Sequence, residues 1–126
     1  MYDRPDMVEL VAIVREFLER QAMPALEGRV AFHARVAANA LAIVERELEQ
    51  GSRETDRELA RLRTLLGTDG DLDALNRELC RRLRSGEVSV ETPGLLDHLR
   101  ATTLAKLAVD QPHYSGYRRA LERRGD

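Results

Sequence analysis

The segment between Pro24 and Gly51 constrains the fold most, because its apolar residues lie on several sides of a helix. They recur at spacings of three or four residues in two stripes, Val30, Ala34, Ala37, Leu41, Val44 and Leu48, and Phe32, Val36, Ala40 and Ile43. This spacing is typical of an α-helix, which has 3.6 residues per turn. A helix that is apolar nearly all round is usually central. We therefore predict a central helix from Arg29 to Gln50 that ends at Gly51.

The rest of the chain shows the same helical spacing between start and stop signals. Asp6 with Glu9, and Thr55 with Glu58, form capping boxes that satisfy free amides at a helix start. Pro24 stops or kinks the first helix, and Pro112 follows the end of a later one, because proline lacks an amide hydrogen. The predicted helices besides the central one are Met7 to Ala22, Asp56 to Leu66, Leu72 to Arg84, Pro93 to Asp110, and a short tail helix after a turn at Gly116.

These helices with short connections predict an all-α fold, an antiparallel bundle of about five helices with a short C-terminal helical tail. The 126 residues are expected to form a single domain, residues 1–126. Only 4% of the residues are aromatic and Trp is absent, so the core must consist of Leu, Val, Ile and Ala.

Charge and composition argue against several classes of partner. The net charge of −2 gives no overall attraction to nucleic acid or to an anionic membrane, and few aromatic rings are present for base stacking. No apolar run approaches the roughly 20 residues that span a bilayer. The start of the chain lacks a signal-peptide pattern, and Cys80 is the single cysteine. We expect a cytoplasmic protein that binds neither nucleic acid nor membrane.

The chain also lacks the short motifs of common enzymes. It contains no G-x-S-x-G, no G-x-x-x-x-G-K-[ST], no G-x-G-x-x-G and no H-E-x-x-H. Its histidines do not have the spacing of a zinc site, and Cys80 has no cysteine near it in the sequence. We therefore predict a protein that is not an enzyme and that has neither a cofactor nor a metal site.

Lys106 is the single lysine among twenty basic residues, and it lies in an apolar helical segment. Asp110 is one turn later, within reach of its ammonium group. Together with His33 of the central helix, these residues form a candidate buried polar or anion site. The alternative stays open that the Lys106 stem packs while its ammonium reaches water, and that His33 is a semi-buried structural residue. His98 and His113 are predicted at a helix surface and in the tail.

A second set of residues is a candidate for contact with a partner protein. Arg35 and Asn39 share a polar strip of the central helix with Arg46. Tyr114 and Tyr117 flank Gly116 in the tail, where tyrosine offers an apolar ring with a polar tip. The strip could equally be an ordinary solvated face, and the tail could cover one end of the bundle.

Four segments resemble a small bacterial family that is classified as a domain of unknown function. They are DRPDMVELVAIVREFLE, FHARVAANALAIVERELE, DLDALNRELCRRLRSGE and LLDHLRATTLAKLAVDQPHYSGY, and they cover nearly the whole chain. Genes of that family often lie beside those of an aminoglycoside-phosphotransferase-like kinase and an acyl-CoA dehydrogenase. In that setting the kinase is thought to phosphorylate a hydroxyacyl-CoA. The resemblance implies a small non-catalytic companion of the kinase, and it supplies no catalytic residues.

Three functional hypotheses follow. The first is an accessory subunit that binds a phosphotransferase-like kinase in acyl-CoA metabolism, with contacts at Arg35, Asn39, Tyr114 and Tyr117. The second is a stand-alone homo-oligomer, for example a homodimer, in which small residues of the central helices let chains approach closely. The third is a protein that binds a small molecule, an acyl-CoA or a phosphate, through His33, Lys106 and Asp110.

Overall fold

The computed structural model describes residues 3–124 and is all-α, as predicted. It is 79% helical and has no strand among these residues. The elements in chain order are α1 (Met7–Phe17), a π-helical segment (Leu18–Ala22), α2 (Met23–Ala25), α3 (Gly28–Leu66), α4 (Leu72–Ser85), α5 (Leu95–Asp110) and α6 (Ser115–Glu122).

The chain divides into two compact units, Met1–Ser52 and Arg53–Asp126, which we call the N-terminal and C-terminal units. Each unit is described by itself below. The prediction of a single domain is not decided by this division and stays a prediction.

The start of α1 is the predicted capping box. The Glu9 amide donates to the Asp6 carboxylate over 2.9 Å, and the Asp6 amide donates to the Glu9 carboxylate over 2.8 Å. The predicted end at Ala22 is wrong, because the chain stays helical to Ala25. Pro24 cannot donate the regular backbone bond. The turn before it widens instead, and the Met23 amide bonds the Leu18 carbonyl, five residues back.

The largest difference from the predicted helices is the continuity of α3 across Gly51. The sequence predicts two helices, Arg29 to Gln50 and Asp56 to Leu66, whereas a single helix runs from Gly28 to Leu66. Gly51 does not adopt the positive φ of a helix stop. Inside a helix glycine costs only about 1 kcal/mol relative to alanine, which packing elsewhere can offset. Thr55 therefore lies within α3 and caps no helix start.

The N-terminal unit buries mainly small residues. Ala34 and Ala38 on α3 are its buried hydrophobic residues within the described range. Arg15 of α1 reaches α3, where its guanidinium forms two hydrogen bonds with the Glu45 carboxylate, at 2.5 and 3.2 Å. The two helices are thus joined by a bidentate ion pair.

The C-terminal unit contains the larger apolar core. Its buried cluster consists of Leu62, Leu66, Leu75, Leu79, Val88 and Leu95. The α4 helix begins as predicted at Leu72, after the capping residue Asp71, whose carboxylate accepts from the Ala74 amide over 2.8 Å. It ends before Gly86, whose φ of 81° is favourable for glycine. Arg82 of α4 donates to the Leu66 carbonyl over 2.8 Å, which ties α4 to the last turn of α3.

The last two helices differ from the prediction at their starts. The α5 helix begins at Leu95, after Gly94 with a φ of 90°, and not at Pro93. Thr92 caps the preceding turn instead, because its hydroxyl accepts from the Ser89 amide over 2.9 Å. The tail helix is confirmed as α6, but Gly116 lies inside it and not in a turn before it.

Candidate interaction surface

The α1 helix exposes one complete apolar face. Five large hydrophobic residues of this face are 50 to 69% exposed: Met7, Leu10, Ile13, Val14 and Phe17. At about 100° per residue, they fall within an arc of about 120° on the helix surface. The half-buried residues Val11, Arg15 and Leu18 lie on the neighbouring arc. The helix therefore has two apolar faces, and the chain itself covers only one of them.

The N-terminal half of α3 repeats this arrangement. Its large exposed hydrophobic residues are 38 to 60% exposed: Val30, Phe32, Val36, Val44 and Leu48. They span an arc of about 160° at 100° per residue, beside the arc of Ala34 and Ala38. The same arc also contains the exposed polar residues Arg29, His33 and Glu47. Part of the apolar surface from which a central helix was predicted is therefore exposed in the described structure. The all-round apolar character of this helix reflects one covered face and one exposed face.

We call these ten residues of α1 and α3 the N-terminal apolar surface. Single exposed hydrophobic residues are normal on proteins, but several exposed hydrophobic residues on one helix face mark an interaction site. A two-helix unit with two buried alanines also gains little free energy from its own core. A partner that covered the N-terminal apolar surface would supply the missing burial.

An ion pair between α1 and α3 fixes which side of α1 faces α3. Hydrogen bonding to Glu45 raises the pKa of Arg15, and the same contact lowers the pKa of Glu45. Arg15 also pairs with Glu19 over 3.1 Å. Both ionised groups thus have partners within the chain, so this ion pair holds α1 on α3 and is not available as an acid or base.

The residues predicted to contact a partner are accessible to different degrees. Arg35 and Asn39 are exposed and lie one turn apart on α3. Tyr114 is exposed at the start of α6, and Tyr117 within α6 is half-buried. Their role in binding a partner stays a prediction.

The predicted buried site of His33, Lys106 and Asp110 is not buried. All three residues are exposed. His33 accepts a hydrogen bond from Arg29 over 3.3 Å and lies edge-on to the Phe32 ring. No ion pair between Lys106 and Asp110 is found within residues 3–124. Lys106 is exposed because α5 turns a different face inward.

The inward face of α5 contains a residue that sequence analysis placed at the surface. His98 is 3% exposed, and its Nδ1 atom is shielded from solvent and has no hydrogen-bond partner within the described chain. The signal that could have identified it is the spacing of the inward residues: Leu95, His98, Thr102, Ala105 and Val109. They alternate at three and four positions, as the inner stripe of a helix does.

His98 belongs to a polar cluster of five residues in the C-terminal unit, Glu58, Arg61, Asn76, His98 and Thr102. Arg61 donates to the Thr102 hydroxyl and Asn76 to the Glu58 carboxylate, each over 3.3 Å. Burial lowers the pKa of His98, and the charge of Arg61 lowers it further against the opposing effect of Glu58. The imidazole is therefore neutral at pH 7.

A cavity of about 430 Å³ lies beside this cluster, bordered by Arg61, Thr64, Asp97 and His98. The unpartnered atoms, Arg61 Nε and His98 Nδ1, have no access to solvent. They can therefore meet a substrate only after side chains move, and the cluster fits a structural role better than a catalytic one. Among residues 3–124 no group of three His, Cys, Asp or Glu side chains could hold a metal ion.

Comparison with known families supplies a match over much of this structure. The family described as Domain of unknown function (DUF6285) matches residues 24–114, well over half of the chain. The chain belongs to this family. No curated protein and no solved structure matches it.

The DUF6285 match extends from Pro24 in α2 to Tyr114 at the start of α6. It therefore contains the exposed face of α3 and the whole polar cluster around His98. The exposed face of α1 and the body of α6 lie outside the matched segment. Within residues 3–124, no helix is both long and apolar enough to cross a bilayer.

Proposed function

We propose that this chain is a non-catalytic interaction subunit that binds a partner protein through the N-terminal apolar surface. The single observation that carries the proposal is the exposure of ten large hydrophobic residues on α1 and α3. Protein interfaces have apolar cores with polar rims. The surface meets this description on α3, where the exposed polar residues Arg35 and Asn39 border it.

The partner that we propose is a phosphotransferase-like kinase that acts on a hydroxyacyl-CoA in the cytoplasm. Support comes from the resemblance of the four quoted segments to a family with such a kinase among its genomic neighbours. In this proposal the chain stabilises or positions the kinase and takes no part in bond making. The ionised groups of the N-terminal unit that pair with one another, Arg15 with Glu19 and Glu45, are consistent with this role.

A second candidate is a homodimer formed through the same surface. Two amphipathic helices with a free apolar face on each are half of a four-helix bundle, and a second copy would complete it. This candidate needs no other protein. It predicts that the isolated chain sediments as a dimer at micromolar concentration.

Co-expression with the neighbouring kinase tests the first candidate. A variant with Leu10→Ser, Ile13→Ser and Phe17→Ser removes apolar contacts from the exposed face and leaves the covered face intact. The matched control is Glu16→Gln with Arg20→Gln, two exposed polar residues, one on α1 and one in the π-helical segment that follows it. We expect the wild-type chain and the control to co-purify with the kinase and the serine variant to be lost from the complex. Equal recovery of the kinase with all three chains would contradict the proposal.

Sedimentation of the isolated chains separates the two candidates. A dimer that the serine variant disrupts, without any recovery of kinase, would favour the homodimer. Helical circular dichroism of each variant checks that the changes have not unfolded the unit. A monomeric wild-type chain that recovers no kinase would exclude both candidates.

A further inference from the structure

A groove between α5 and α6 in the C-terminal unit has no role in the proposed function. Its volume is about 560 Å³, and its lining includes the aliphatic residues Leu99, Leu104 and Leu107 of α5. This volume lies within the range of pockets that hold small molecules. Leu99 is 42% exposed, which leaves an apolar side chain open to a ligand.

Three arginines border the groove: Arg100 of α5 and Arg119 of α6, with Arg123 directly after α6. Arg100 donates to the Ala120 carbonyl and Arg119 to the Ser115 carbonyl, each over 3.4 Å. Neither contact neutralises a charge, because both acceptors are backbone carbonyls. Within residues 3–124 none of the three forms an ion pair, and no Asp or Glu lines the groove.

Other arginines of this unit are arranged differently. Arg81 and Arg82 of α4 share the Glu78 carboxylate at 2.8 and 2.6 Å, and Arg63 pairs with Asp69 over 2.7 Å. These three arginines are each matched by a carboxylate. The three positive charges around the groove lack such a match, which leaves their guanidinium donors available for an anion.

The tail tyrosine forms one wall of the groove because α6 has a glycine beside it. A Cβ atom at Gly116 would lie 2.5 Å from the nearest atom of the Tyr114 ring. Any larger residue would push the ring out of its place. The ring and hydroxyl of Tyr114 therefore add an amphipathic wall next to the arginines.

We propose that the α5–α6 groove binds a small amphipathic anion. The carboxylate or phosphate of the ligand is held by Arg100, Arg119 and Arg123, and its hydrocarbon part lies against Leu99, Leu104 and Leu107. Guanidinium groups suit this head group because they donate paired hydrogen bonds to carboxylate and phosphate. The aliphatic wall supplies the burial that a free inorganic anion would not gain.

Calorimetry with four probes tests the proposal: octanoate, octyl phosphate, 1-octanol and inorganic phosphate. We expect saturable binding of octanoate or octyl phosphate with a Kd of about 1 mM or lower, and at least tenfold weaker binding of 1-octanol and inorganic phosphate. The tighter of the two anions identifies the head group.

Variants of the full chain link binding to this groove. Arg119→Gln with Arg123→Gln is expected to weaken binding of the preferred anion at least tenfold. The matched control is Arg118→Gln, an exposed arginine of the same helix that does not line the groove, and it should bind as the wild type does. Leu99→Ser is expected to weaken binding of the octyl-chain anion and to leave any contact with inorganic phosphate unchanged.

Two results would overturn the proposal. One is the absence of saturable binding of both octyl anions. The other is equal binding by the wild type, the arginine pair variant and Arg118→Gln, with thermal unfolding showing that all three are folded. Neither result bears on the N-terminal apolar surface, because the groove variants leave α1 and α3 unchanged.

Discussion

At the residue scale, His98 is the titratable group that the fold perturbs by burial. Its pKa is lowered from the usual 6.5 because burial and the Arg61 charge disfavour the imidazolium. Between this depressed pKa and 6.5, the unfolded chain binds more protons than the folded chain. The contribution of neutral His98 to the free energy of unfolding is thus complete above pH 6.5 and is lost as the pH falls toward the folded pKa.

The corresponding prediction concerns urea unfolding between pH 7.5 and pH 5. The free energy of unfolding should fall across this range by at most about 1.4 kcal/mol per pH unit for a single group. His98→Gln cannot titrate and should show a smaller slope. The carboxyl groups with lowered pKa values, such as Glu78 at about 2, begin to contribute near the unfolded pKa of 4.5, at the acid end of this range, and they do so equally in wild type and His98→Gln. An unchanged slope in His98→Gln would show that His98 is not the responsible group.

Arg82 is the residue whose contact ties two helices of the C-terminal core. Replacing it with alanine removes the 2.8 Å bond to the Leu66 carbonyl and leaves that helix-end acceptor without its partner. We expect Arg82→Ala to lower the free energy of unfolding by about 1–2 kcal/mol. Arg84→Ala, an exposed arginine of the same helix, should change it by less than about 0.5 kcal/mol. Equal effects in denaturant titrations would contradict this role.

At the element scale, the end of α3 coincides with the glycine that has a positive φ. Gly51 lies in a helical conformation, whereas Gly67 after the helix has a φ of 63°. Gly51→Ala should therefore stabilise the protein by about 0.5–1 kcal/mol, since the Glu47 carboxylate that occupies the Cβ position can rotate away. Gly67→Ala should destabilise it by about 1 kcal/mol. Thermal unfolding of both variants checks the opposite signs, and a loss with Gly51→Ala would contradict a continuous helix.

The helix boundaries that could be predicted are those set by local sequence signals. Capping signals at Asp6 and Asp71 are local, so the starts of α1 and α4 follow from the sequence. The continuation of α3 through Gly51 does not follow from the sequence. Glycine stops a helix only where its backbone adopts a positive φ, and tertiary packing decides whether it does. The α5 helix is apolar nearly all round, so its composition does not say which face is inward. This ambiguity placed Lys106 near the core and His98 at the surface, the reverse of the structure.

At the scale of the whole molecule, the sequence predicts an all-α protein but not which of its apolar helix faces are exposed. The stripes of Val30 and Phe32 were expected at the centre of a bundle, and the structure leaves them exposed. Sequence periodicity measures apolar character, whereas coverage depends on which surfaces the chain has available to pack. The N-terminal unit has more apolar helix surface than it covers, and this excess is the basis of the proposed interaction.

Site-specific photocrosslinking in cells that co-express the proposed kinase partner tests this central claim most directly. A photoreactive residue at Ile13 lies on the N-terminal apolar surface, and one at Arg77 lies on the exposed side of α4. We expect a covalent adduct with the kinase from Ile13 and none from Arg77. An adduct between two copies of the chain would support the homodimer and not the kinase complex. No adduct from Ile13 with either protein would contradict an interaction surface at this place.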